Sequence, residues 1–242
     1  MSARMAVYMV FVYFLVLSAA PGAAAEPAAE DTVTVTADYI YTPPQKEPEE
    51  TARALALFGA RYKAAALGAK FLSHKGLLVH FGNRQREILC LAADQIEAVI
   101  LEKRLDSETG LFAVRIRSTI DATDFIRAEI ADQALEKEEN GLSFRDEMEQ
   151  PVSGELRPGK ELSRAYRYLR KKQWRIAVIY LDHLQEKYPY WGEVYLAKAL
   201  GFYSLNQTVM MADALKTACR LNNQEACQDL EGLSPVSGPP SK

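Results

Sequence analysis

The chain has 242 residues, 48% hydrophobic, 25% charged and 10% aromatic, which excludes wholesale disorder, collagen-like sequence and a polytopic membrane protein. With 29 Lys and Arg against 32 Asp and Glu, the net charge of −3 gives no footing for nucleic-acid binding. Three His and three Cys restrict metal and nucleophile chemistry, and the length allows one large core or two small ones.

Met5 to Ala20 is apolar except for Ser18, follows Arg4, and runs into Pro21-Gly22 and Ala23-Ala24-Ala25. Short residues after an apolar run suit a signal peptidase, so residues 1–25 are predicted to be a signal peptide cleaved before Glu26. The rival is a retained anchor, but the run is shorter than the roughly 20 residues needed to cross a bilayer. No Cys follows it to carry a lipid. The expected location is periplasmic or otherwise exported.

Thr32 to Tyr41 alternates Val33, Val35, Ala37, Tyr39 and Tyr41 with Thr32, Thr34, Thr36 and Asp38, the pattern of a half-buried strand. Glu49 to Lys75 has acids first, bases later and no Pro, and predicts a long helix. Ala52, Ala56, Ala60, Ala64 and Gly68 form a stripe of small residues that lets a helix lie close to a sheet. A shorter helix is expected over Arg84 to Glu97. Ala98 to Asp106 and Leu111 to Ile120, joined by a turn at Ser107 to Gly110, predict a β-hairpin packed on the long helix.

This order of strand, long helix and hairpin resembles small bacterial envelope domains: the N-terminal region of flagellar assembly protein T and the related LPP20-type lipoproteins. The phrases that carry the resemblance are Ala52-Arg53 to Ala60 and Phe112-Ala113-Val114-Arg115-Ile116. It implies an α+β domain over residues 31–128, a small antiparallel sheet on a long helix. It also directs attention to the flagellar basal body and motor.

Acids crowd residues 129–157 (Glu129, Asp132, Glu136, Glu138, Glu139, Asp146, Glu147, Glu149) among Pro151 and Gly154, which predicts an acidic interdomain linker with, at most, a helical start. Arg157 to Arg175 then holds eight bases and one acid, Glu161. Arg164, Arg167, Lys171 and Arg175 are the candidates for an anionic surface, such as lipid headgroups or cell-wall polymer. The alternative is a solvated face complemented by the acidic linker.

An internal repeat relates Pro158–Trp191 to Gly192–Glu225, with a period of about 34 residues. Ala165 answers Ala199, Tyr168 answers Phe202 and Leu181 answers Leu215. The pattern resembles tetratricopeptide repeats, helical hairpins that bind peptides on a concave face. Met211 and Leu184 stand where small residues are usual, and Lys172 where the turn usually has Gly. The resemblance places Leu162, Tyr166, Leu169, Arg170, Leu196, Leu200, Tyr203 and Ser204 on the peptide-facing side. With two repeats, that side is either open to a partner or covered by the linker or a capping helix at Asn223–Leu233. The phrase from Ala218-Cys219 to Ala226-Cys227 resembles Sel1-like repeats, which implies a Cys219–Cys227 disulfide and agrees with export. Two unpaired thiols are the alternative. Residues 158–233 thus read as an all-α repeat domain and 234–242 as a disordered tail.

Cys90, in an apolar phrase, is expected to be a buried free thiol. His74, His80 and His183 have no metal-ligand spacing, and no nucleophile elbow, phosphate loop or HExxH motif occurs. No catalytic residue, cofactor or metal is expected. The function expected is a non-enzymatic exported scaffold or assembly factor for other envelope proteins, including flagellar motor or basal-body components. The alternative is a module that holds anionic lipid or cell-wall polymer.

Overall fold

Alternation along the segment makes strand β1 (Thr32–Tyr41), with Val35, Ala37, Tyr39 and Tyr41 buried. The computed structural model describes residues 31–43, 47–78, 81–106, 111–139 and 156–233. The signal peptide, the turn at 107–110, most of the acidic segment and the tail at 234–242 lie outside them. β1 pairs antiparallel with β3 (Phe112–Asp121), Thr32 opposite Asp121 and Tyr41 opposite Phe112. On its other side β3 pairs antiparallel with β2 (Val99–Leu105), giving the order β1-β3-β2.

The long helix α1 (Glu49–His74) lies along the inner face of this sheet. Ala52, Ala56, Ala60 and Ala64 are all buried, and Gly68 sits where a methyl group would come within 3.0 Å of Ile120. Small side chains permit that approach because interiors have no spare volume. β2 departs from the expected half-buried hairpin. Every one of its residues is exposed, because α1 packs on β1 and β3 and does not extend over the third strand.

A 3-10 turn (Gly82–Arg84) leads into α2 (Gln85–Gln95), where every residue from Glu87 to Ala93 is buried. A helix apolar on all sides needs cover on all sides. It receives that cover from α1, from α3 (Ala122–Glu139) and from α4 (Pro158–Arg170). The acidic linker expected at 129–157 is therefore corrected at its start. Residues 129–139 continue α3, and Phe125, Ala128 and Asp132 are fully buried.

Among the described residues four further helices follow α4: α5 (Trp174–Lys187), α6 (Gly192–Ser204), α7 (Thr208–Arg220) and α8 (Gln224–Leu233). Helix starts recur with the period of the sequence repeat, at Pro158 and Gly192 and again at Trp174 and Thr208. The turns recur too: Lys172 and Asn206 both take the left-handed conformation at φ 59°, and Asn222 does so at 64°. In each turn the next amide reaches back to close the helix: Gln173 donates to the Tyr168 carbonyl, Gln207 to Phe202 and Asn223 to Ala218. Lys172 thus adopts the backbone that Gly would adopt without strain.

The architecture is α+β and then all-α, as predicted. One core nevertheless runs through β1, α1, α2, β3, α3, α4 and α5. Trp191, between α5 and α6, is fully buried and stands edge-on to Phe58 of α1 and to Tyr188, each at 5.5 Å between ring centroids. A second core, including Leu196, Phe202, Met211, Leu215 and Ala226, lies among α6, α7 and α8.

Candidate functional site

Leu162, Tyr166, Leu169 and Arg170 fall on one face of α4 by helical spacing, as the repeat register predicts. The occupant of that face is α2 of the same chain. Leu162 is 1% exposed and Tyr166 5%. The Arg86 guanidinium stands 5.4 Å from the centroid of the Tyr166 ring and also pairs with Glu225 of α8. Arg170 Nε donates to Glu87 Oε1 at 2.6 Å. As a peptide-facing surface Leu162 and Tyr166 are therefore corrected, since α2 covers them, while Leu169 and Arg170 are half-buried and border, with Tyr166, Leu200 and Ser204, a cavity of about 300 Å³. α2 fills the face because its own apolar circumference requires a further wall.

α2 also caps the helix it docks on. The Oδ1 and Oδ2 atoms of Asp94 accept hydrogen bonds from the backbone amides of Gly159 (3.1 Å) and Lys160 (2.9 Å) in the first turn of α4. Gly159 is needed for the approach, since a Cβ there would stand 2.3 Å from the Cys90 carbonyl oxygen. Burial pushes the Asp94 carboxyl up to about 6, against the pull of those two amides. Asp94 also lines a cavity of about 630 Å³ with Arg61, Leu57, Phe58, Leu135 and Lys160.

Of the candidate anionic surface, Arg167 is turned inward and Lys171 is paired within the chain. Arg167 is 1% exposed, and its Nη2 donates to Asp132 Oδ1 at 2.7 Å. Arg84 Nε donates to the other carboxylate oxygen of Asp132 at 3.1 Å. Burial pushes the Asp132 carboxyl up, but the two guanidiniums outweigh it and hold the group below its ordinary value. Arg170 and Lys171 both meet Glu136, at 3.5 and 3.2 Å. Arg164 is half-buried and Arg175 exposed. The acids assigned to the linker are thus the partners of the bases that follow, because α3 brings them alongside α4.

In the second repeat, Leu196 is buried in the smaller core and Leu200 half-buried. Tyr203 is 70% exposed. It stands at an apolar groove of about 310 Å³ lined by Ala199, Leu200, Met211, Leu215 and Leu233. Ser204 is half-buried and donates to the Leu200 carbonyl. Near the start of α6, the carboxylate of Glu193 is buried and accepts from the Tyr39 hydroxyl at 2.9 Å, which ties β1 to the repeats. Burial raises the Glu193 pKa.

Cys219 and Cys227 form a disulfide with Cα atoms 4.7 Å apart, joining the end of α7 to α8. Cys90 is a free, buried thiol. The disulfide points to an oxidising, exported compartment. Among the described residues no helix is long and apolar enough to cross a membrane. His74 is exposed and His183 half-buried, and His80 lies outside the described residues. No group of three or more His, Cys, Asp or Glu able to hold a metal ion occurs among the described residues.

The chain matches no protein-family model, no curated protein and no solved structure. The pairings that sequence reasoning missed are those of α2 with the repeats. The signal for them was the unbroken apolar run from Ile88 to Ala93, which is wider than any one-sided helix needs.

Proposed function

We propose that this protein is a non-enzymatic, exported scaffold or assembly factor of the cell envelope that holds a partner protein in the groove among α6, α7 and α8. The observation that carries this is Tyr203, 70% exposed at an apolar groove, while its counterpart one repeat earlier, Leu169, is half-buried against the main core. Exposed aromatic anchors beside apolar pockets supply much of the energy of protein interfaces. The occupant that fits is an apolar segment of another exported protein, with a basic group to meet Asp229 at the groove's lip. The disulfide supports the export half of the reading. The resemblance of residues 31–128 to the flagellar domain makes basal-body and motor proteins the first partners to seek. Ion pairs within the chain take up Arg167, Arg170 and Lys171, which supports a groove-bound partner over anionic lipid or cell-wall polymer, although Arg175 is exposed.

The test is crosslinking capture from the native envelope with the parent chain, Tyr203→Asp, and the exposed control Val209→Asp. A partner captured by the parent and the control but lost with Tyr203→Asp is the expected result. Capture that survives Tyr203→Asp removes the groove from the proposal, and no partner for the parent overturns the scaffold reading.

A further inference from the structure

β2 is an edge strand: β3 takes one side, and among the described residues no strand pairs with the other. Its outward backbone groups are open for pairing. Most of its residues are large, apolar and exposed, namely Val99, Ile100, Leu101 and Leu105. Scattered apolar side chains are ordinary on a surface, but this many on one unpaired strand form a docking edge.

The charges between them select the occupant. When two copies of β2 are set antiparallel about a two-fold axis through Lys103, Glu102 of each faces Arg104 of the other, and Leu101 stands at the bulge where the register with β3 shifts between Ile100 and Glu102. Glu102 and Arg104 pair with Arg115 and Ala113 in the register with β3, so both lie on the sheet face away from α1. An axis through Glu102 would instead oppose two carboxylates. An axis through Arg104 would oppose two guanidiniums and set Glu102 against Asp106. Opposite charges directly across an antiparallel pair stabilise it, and like charges do the reverse. The axis also sets Lys103 opposite Lys103, but each Nζ is held by its own chain, 3.5 Å from Glu49 and 5.4 Å from the centroid of the Phe112 ring, and Glu102 meets Arg115 of its own sheet at 3.4 Å on the other face.

We propose that β2 pairs with β2 of a second copy in the antiparallel register centred on Lys103, joining two three-stranded sheets into one of six strands. The interface is isologous, so each contact occurs twice. It is separate from the groove at Tyr203 and does not depend on it.

The test is sedimentation of the whole secreted chain at rising concentration, with folding of each variant checked by circular dichroism. The parent should reach twice the monomer mass. Glu102→Arg and Arg104→Glu alone each place like charges opposite one another, and each should weaken association roughly tenfold or more. The double variant Glu102→Arg/Arg104→Glu restores opposite charges and should recover the dimer. Lys103→Cys should crosslink to itself under mild oxidation, since residues facing across an antiparallel pair stand about 5 Å apart. A parent that stays monomeric overturns the proposal. So does a dimer that single reversals leave intact, or a double variant that fails to recover while remaining folded.

Discussion

The inner-face positions of α4 and their counterparts one repeat later on α6 start from related side chains and end in different surroundings. Leu162 and Tyr166 are buried under α2, and Leu169 and Arg170 border a cavity shared with Leu200 and Ser204, whereas Leu196 is core and Tyr203 stands at an open apolar groove. The repeat period decides which face a residue occupies, and the neighbour that arrives there decides what the face does. In this chain much of the first repeat's inner face supports its own N-terminal unit, and the apolar groove at Tyr203 belongs to the second repeat and the helix that follows it.

The widest break in that contrast should come from Asp132→Ala, which strands the buried Arg167 guanidinium without its carboxylate. A loss of about 3–5 kcal/mol is expected in urea unfolding. A loss under about 1 kcal/mol would mean that this pair does not hold α3 to α4.

Close behind is the direct comparison of two tyrosines. Tyr166→Ala empties a site enclosed by α2 and should cost about 3–4 kcal/mol, while Tyr203→Ala should stay within about 0.5 kcal/mol. Equal costs would erase the distinction between the two repeats.

Replacing both Cys219 and Cys227 with Ala opens a loop of sequence separation 8, and roughly 2.5 kcal/mol should be lost. Amide exchange should rise in α8 and leave α4 protected. Exchange that rises equally in both would show that the staple supports the whole chain.

The contact between α2 and α4 can be sharpened by pH. Because the Asp94 pKa is raised in the folded protein from 3.8 to about 6, folding favours its protonated form. Its contribution to stability is full below about pH 4 and is lost as the pH rises through about 6. Asp94→Asn removes that titration, so the stability difference between variant and parent should change between about pH 4 and pH 6, and parallel curves would refute the assignment.

The smallest effect is expected at the turns. Lys172→Gly relieves a left-handed φ of 59° and should stabilise by about 1 kcal/mol. Asn206→Gly at the equivalent turn should do less, because Asn tolerates that conformation. Melting temperatures of the two variants check the order.

Much of the fold was legible in local pattern. The alternation of Thr32 to Tyr41 and the Ala52–Ala64 stripe identify a strand and a helix that packs closely, and the repeat period locates both helical hairpins. The Cys219–Cys227 pairing followed from a local phrase whose ends lie on neighbouring helices. Less of the candidate site was legible. Tyr203 is open as the register implies, but Leu162 and Tyr166 carry the same signature and are buried. Residues 129–139 looked like linker because acids dominate them. Their charge is matched by Arg167, Arg170 and Lys171 on a different helix, a separation that periodicity does not register.

Local pattern located the strands and every described helix but α3, the apolar faces of most of them, and one pair of cysteines close enough to join. Those properties depend on neighbours within a few turns of the chain. It took the packing of distant elements to cover Leu162 and Tyr166 with α2, to turn Arg167 and Arg170 toward acids, and to leave β2 as a bare edge. Each of these is a competition among distant segments for the same cover. Its outcome depends on the volume, reach and charge of elements far apart in sequence.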